Sequence, residues 1–217
     1  MTCQNDDDGM KMRTLKIIRY VAWGGVAVFG TLALALALGW WQVDGPGRPV
    51  VVRQEPTTAI GGPFTLTNHR REVITERSFL GRPFLVFFGF THCPDVCPTT
   101  LVEITTWLQA VGRDADRIQV LFVSVDPQRD TPELLSQYLQ SFDARILAAS
   151  GSKEQIDAMV AAYRATYRFV PTSGDGYTVD HTASMFMMDS QGRFIGTIDF
   201  HEDREMALAK IRRLATR

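Results

Sequence analysis

The sequence predicts an α/β domain over residues 59–217, and three observations carry that expectation. An unbroken apolar run, Phe84 to Phe90, leads into Leu101, Ile104, Leu108 and Val111 at helical spacing. That is how a strand buried on both faces followed by an amphipathic helix reads. The strand-then-helix alternation recurs from Ile118 to about Thr166. Two short apolar segments then flank Asp189-Ser190-Gln191-Gly192, a hairpin turn signal.

Taken in order, Pro63 to Asn68 (PFTLTN) and Glu72 to Ile74 read as a strand pair. Phe84 to Phe90 is the first central strand. The helix after it runs from Pro98 to Gly112, with Pro98 in the first turn, where a missing N–H costs nothing. Ile118 to Val125 is the second central strand. Thr131, Pro132 and Glu133 supply an N-cap, a first-turn proline and a first-turn acid for a helix to about Phe142. Ser152 with Gln155 fits a capping box opening another helix, to about Thr166. Ser184 to Met188 and Phe194 to Phe200 form the hairpin, and a last helix covers Asp203 to Ala215. A right-handed crossover makes the central strands parallel, with the terminal hairpin antiparallel. The layout is that of a thioredoxin-like domain with an added N-terminal strand pair.

The chain has 217 residues, 45% of them apolar, and a net charge of −1. It can bury one full core, and it lacks the basic excess of a nucleic-acid binder. Residues 20–43 contain no charge; 24 helical residues reach about 36 Å, enough for a hydrocarbon layer of about 30 Å. Trp40 and Trp41 close the run as an interfacial belt does. The run exceeds the apolar region of a cleaved signal peptide, about 7–15 residues, so a retained transmembrane anchor is expected. Lys11, Arg13, Lys16 and Arg19 outnumber Arg48 and Arg53 on the far side. The expected order is therefore a cytoplasmic leader (1–19), an anchor (20–43), a Gly/Pro-rich linker (44–58) and a domain outside the cytoplasm. The acidic run Asp6-Asp7-Asp8 argues against a mitochondrial transit peptide and for a bacterial inner membrane facing the periplasm.

Three cysteines are present, and Cys3, in the polar leader, is given no role. Cys93 and Cys97 lie in one strand-to-helix loop, too close together to staple a long loop for stability. The helix N-terminus favours negative charge there and lowers thiol pKa values. Thiolate is both nucleophile and metal ligand. A redox dithiol usually reads Cys-x-x-Cys, whereas this pair has one residue more. Phe90 and Pro94, three residues before each cysteine, are not the Thr or Ser of thiol peroxidases of this fold.

His181 sits just before Thr182-Ala183-Ser184, where such a fold faces its cysteine loop. Redox members place a cis-proline there, yet no proline occurs between Thr172 and Arg217. Two thiolates and one imidazole suit copper, as trigonal Cu(I) or as Cu(II) with a weak further ligand. Zinc needs a fourth protein ligand, for which Asp180, Asp95 or His92 is available. Met185, Met187 and Met188 read as core rather than as axial ligands. Asp126, at the end of the second central strand, is placed with Asp180 behind the ligands; a plain turn role explains Asp126 equally well.

Four stretches, GGPFTLTN (61–68), FGFTHCPDVCPTTL (88–101), SVDPQRDTPE (124–133) and YTVDHTASMFMMD (177–189), resemble the Sco/SenC family of copper-binding assembly factors for cytochrome c oxidase. The resemblance implies one copper held by Cys93, Cys97 and His181, and a single N-terminal anchor. It implies a non-enzymatic metallochaperone serving the dinuclear copper centre of oxidase subunit II, or another copper-accepting periplasmic protein. It equally allows a thiol-disulfide reductase that keeps the target cysteines of subunit II reduced through Cys93 and Cys97.

Overall fold

A computed structural model describes residues 7–37, 59–173 and 176–217. The chain divides into two units, 1–54 and 55–217.

In the first unit, helix α1 covers Asp7–Ala37. It begins well before the apolar run expected to span a membrane. Tyr20, Trp23, Phe29 and Leu32 along it are all well exposed. Among the described residues no helix is long and apolar enough to cross a membrane. The expected span is not met within them, and its last six positions, 38–43, lie outside them, as do Trp40, Trp41 and the linker.

In the second unit, β1 (Thr65–Asn68) and β2 (Val73–Thr75) form the expected N-terminal pair. Strand β3 (Phe84–Gly89) is buried at every position. Helix α2 (Val96–Val111) follows, then β4 (Gln119–Ser124) and α3 (Pro132–Leu139). Next come β5 (Ile146–Ser150), α4 (Lys153–Ala162), β6 (Tyr167–Pro171) and β7 (Tyr177–His181). Strands β8 (Met185–Met188) and β9 (Phe194–Ile198) precede α5 (Arg204–Leu214).

The main sheet has the order β2-β1-β5-β4-β3-β8-β9. Its parallel heart is β3-β4-β5, and β8 and β9 join antiparallel. The helix starts follow the sequence chemistry. The Thr131 hydroxyl accepts from Leu134 N–H, and Ser152 forms a full capping box with Gln155. Asp203 caps α5. The methionines of β8 are core, as expected: Met185 and Met188 are 1% exposed.

Three strands were not expected. β5 completes the parallel heart and joins the N-terminal pair to it, since β1 pairs antiparallel with β5. β6 and β7 form a separate two-stranded ribbon. His181 therefore ends a ribbon strand instead of opening β8.

Candidate metal centre

The site lies beyond the carboxyl ends of β3 and β4, where parallel sheets gather ligands. Ladder bonding continues one step past β4, with Val125 N–H donating to the Gly89 carbonyl at 2.9 Å. After β3 the chain turns, and Cys93 N–H donates to Phe90 O at 3.3 Å. Helix α2 starts at Val96 with no side-chain oxygen capping it from Asp95. The Cys93 sulfur fills that role, accepting from Cys97 N–H at 3.3 Å. An orphan N–H of the first turn is thus satisfied by a thiol. Pro98, third in the helix, has no N–H to spare and needs none.

Cys97 is fully buried, while Cys93 is partly exposed. His181 reaches across from the ribbon with its Nε2 3.4 Å from Cys97 Sγ. Its ring stands edge-on to Phe87 and Phe90, at 6.0 and 5.9 Å. Its Nδ1 lies 3.0 Å from the Thr182 carbonyl. A proton on Nδ1 donates to that oxygen and leaves the Nε2 lone pair facing the sulfurs. One ligand atom from each of Cys93, Cys97 and His181 lies within 4.8 Å of the other two. A cleft of about 380 Å³ opens onto Cys93 and His181, walled by Phe90, Pro94 and Val179.

The two thiols are electrostatically unlike. The hydrogen bond from Cys97 holds the Cys93 pKa down to about 4, against partial burial, with backbone N–H groups assisting. The same hydrogen bond and deep burial push Cys97 far up. Cys93 is the thiolate and Cys97 keeps its proton as donor. In reduced, metal-free protein, iodoacetamide is expected to label Cys93 at a rate nearly flat between pH 6 and 8, with Cys97 untouched. An ordinary thiol, with a pKa of about 8.5, gains close to tenfold per unit over most of that range. Peptide mapping reads each cysteine separately, and a Cys93 rate that climbs with pH like a free thiol contradicts this assignment.

The expected carboxylates behave differently. Asp126 is fully buried, but its partners are Arg129 and the Tyr177 hydroxyl, the latter at 2.9 Å, so it holds the ribbon rather than a ligand. Asp180 is paired with Arg168 at 2.7 Å, its partner across the ribbon. Strand alternation turns its side chain to the face opposite His181. His92 bonds Thr91 instead, at 3.0 Å.

Sequence reasoning missed Asp130, which ties the cysteine loop to β4. Its carboxylate accepts from Thr91 N–H at 2.9 Å, Thr91 Oγ1 at 2.6 Å and Ser124 Oγ at 2.5 Å. Gly89 was missed as well. A Cβ there would stand 2.8 Å from Cys97 Sγ and 2.7 Å from the Phe122 ring. Neither carries a local signal, because both act on residues distant in sequence.

A thioredoxin-like scaffold with two thiols and an imidazole converging at its strand ends defines a soft-metal-binding protein. The chain belongs to the SCO1/SenC family, whose model matches residues 52–216. It is 37% identical over 160 residues to the mitochondrial protein SCO2 of Saccharomyces cerevisiae, covering 72% of this chain and 53% of that one. It is 36% identical over 144 residues to protein SenC of Rhodobacter capsulatus, covering 66% of this chain and 63% of that one. These relatives are thus matched over little more than half of their own length. Among solved structures, copper-bound ScoI of Bradyrhizobium japonicum is 46% identical with a TM-score of 0.67, covering 72% of this chain and 99% of that one. Copper-bound yeast Sco1 is 31% identical with a TM-score of 0.67, covering 73% and 89%.

Proposed function

We propose that this chain is a membrane-anchored copper metallochaperone. It holds one copper ion through Cys93, Cys97 and His181 and passes it to the dinuclear copper centre of cytochrome c oxidase, with subunit II as acceptor. The observation that carries the reading is the convergence of two sulfurs and one imidazole within 4.8 Å. That donor set is soft and three-fold, as Cu(I) prefers, and it leaves room for a weak further donor to Cu(II). The copper-bound relatives ScoI and Sco1 support it. Copper is cargo here. Cys93, at the cleft, is the sulfur that an incoming partner thiolate replaces first, while Cys97 and His181 retain the ion.

The anchor is residues 20–43, crossing a bacterial inner membrane with the domain in the periplasm. The uncharged run, the exposed apolar side chains of α1 and the basic N-terminal flank support that placement.

A second reading, thiol-disulfide reductase, is favoured by the unequal thiol pair. Cys93 thiolate attacks a target disulfide and releases one target thiol. Cys97 then attacks the mixed disulfide and releases the other, leaving Cys93–Cys97 oxidised until a thiol donor reduces it.

Loading the full chain in detergent with copper tests both. One copper per chain is expected, with thiolate-to-Cu(II) absorption that Cys93→Ser and Cys97→Ser each abolish. His181→Ala is expected to weaken copper binding by tenfold or more and to leave dithiol exchange intact. A colourless protein that holds zinc in preference overturns the copper reading.

A further inference from the structure

We propose that Arg129 is the positioning residue for the third ligand: with Asp126 it clamps Tyr177, and through the rigid strand β7 it sets where the His181 ring stands relative to the two cysteines. The inference rests on the copper reading above and adds to it the device that holds the site closed.

The cysteines are held in another way, with Asp130 tying their loop to β4. They sit at the junction of a fully buried strand and a helix packed on the core. His181 comes instead from a two-stranded ribbon that, among the described residues, has no ladder to the main sheet. Ribbons of this size are marginal alone in water and take their place from what they pack against. Strand alternation puts Tyr177, Val179 and His181 on one face of β7, and Val179 is buried. Whatever fixes Tyr177 fixes the strand, and so the imidazole about 13 Å farther along it.

Tyr177 is held at several points by the turn after β4. Arg129 Nη1 donates to the Tyr177 carbonyl at 3.1 Å. Its guanidinium lies over the Tyr177 ring, 3.8 Å from the centroid. Its Nε donates to Asp126, which also accepts from the Tyr177 hydroxyl at 2.9 Å. The same guanidinium faces the Phe90 ring at 5.7 Å, and Phe90 stands edge-on to His181. One planar cation therefore touches the ribbon, the turn and the start of the cysteine loop. Only a guanidinium stacks and donates in its own plane at once; an ammonium does one or the other. Arg129→Lys keeps the charge and loses the geometry.

The test is a cycle of Arg129→Lys and His181→Ala in the full chain, read by Cu(I) competition titration and by the imidazole nitrogen splitting in the Cu(II) electron paramagnetic resonance spectrum. Arg129→Lys alone is expected to weaken copper about tenfold, within the range for groups that orient metal ligands, and to diminish the splitting. In the His181→Ala background it is expected to change nothing, because the two act as one unit. In metal-free protein, backbone amides of β7 are expected to exchange with solvent faster than in wild type, with β3 and β4 unchanged. Equal weakening with and without His181 overturns the proposal, as do β7 amides that exchange at the wild-type rate. If wild-type protein takes up no copper, the copper reading fails, and the metal-free exchange rates still decide the clamp.

Discussion

Asp130→Ala is expected to cost the domain about 3 kcal/mol and to loosen the cysteine loop. The carboxylate is 2% exposed and accepts from one backbone N–H and two hydroxyls. Alanine removes the acceptor and leaves those three donors without it. A buried donor left unmade costs about 1–3 kcal/mol, and a rotating hydroxyl recovers part of that elsewhere. For a domain of this size 1 kcal/mol moves the melting temperature by about 2–4 °C, so a fall of about 6–12 °C is expected. Thr91 belongs to the loop and Ser124 ends β4, so the loss also detaches the loop from the sheet. Asp130→Asn is expected to fall less, since its amide oxygen still accepts. Thermal unfolding followed by circular dichroism reads both; an alanine variant melting within about 2 °C of wild type contradicts the account.

Gly89→Ala strikes the same loop from beneath. Gly89 pairs with Ser124 in the centre of the sheet, and its missing Cβ is the space that Cys97 Sγ and the Phe122 ring occupy. Both neighbours are fully buried. Overfilling a close-packed core costs about 1–3 kcal/mol. The more telling effect falls on chemistry. Cys97 is pushed outward, its hydrogen bond to Cys93 lengthens, and the Cys93 thiol loses the main cause of its lowered pKa. Iodoacetamide labelling of Cys93 is then expected to rise with pH, as for an ordinary thiol, and copper affinity is expected to fall. A variant with wild-type labelling and copper binding shows that Cys97 adjusts freely and defeats the prediction.

Much of this was legible in the chain. The run FLVFFG announces a strand with no solvent face, and β3 is buried throughout. The caps at Thr131 and Ser152 work through neighbours three residues away, so local reading finds them. The three residues that converge, Cys93, Cys97 and His181, were legible because loop and histidine each sit at an interruption of the apolar pattern. What escaped depends on distance. β5, Ile-Leu-Ala-Ala-Ser, carries two alanines of low strand preference and becomes a strand only between β4 and β1. β6 and β7 pack mainly on each other and show little burial, so no sharp alternation marks them. Asp126 and Asp130 look alike in sequence. One reaches forward to Tyr177 and the other back to Thr91, and only the folded chain separates their roles.

The unequal depth of the two sulfurs is expected to govern how the protein withstands peroxide. An oxidant arriving through the cleft meets Cys93 alone and converts it to a sulfenic acid. Cys97, sealed behind it and within 4.8 Å, then condenses with that group to a disulfide and releases water before further oxygen can add. A thiol donor reverses that product, whereas a sulfinic acid would silence the site for good.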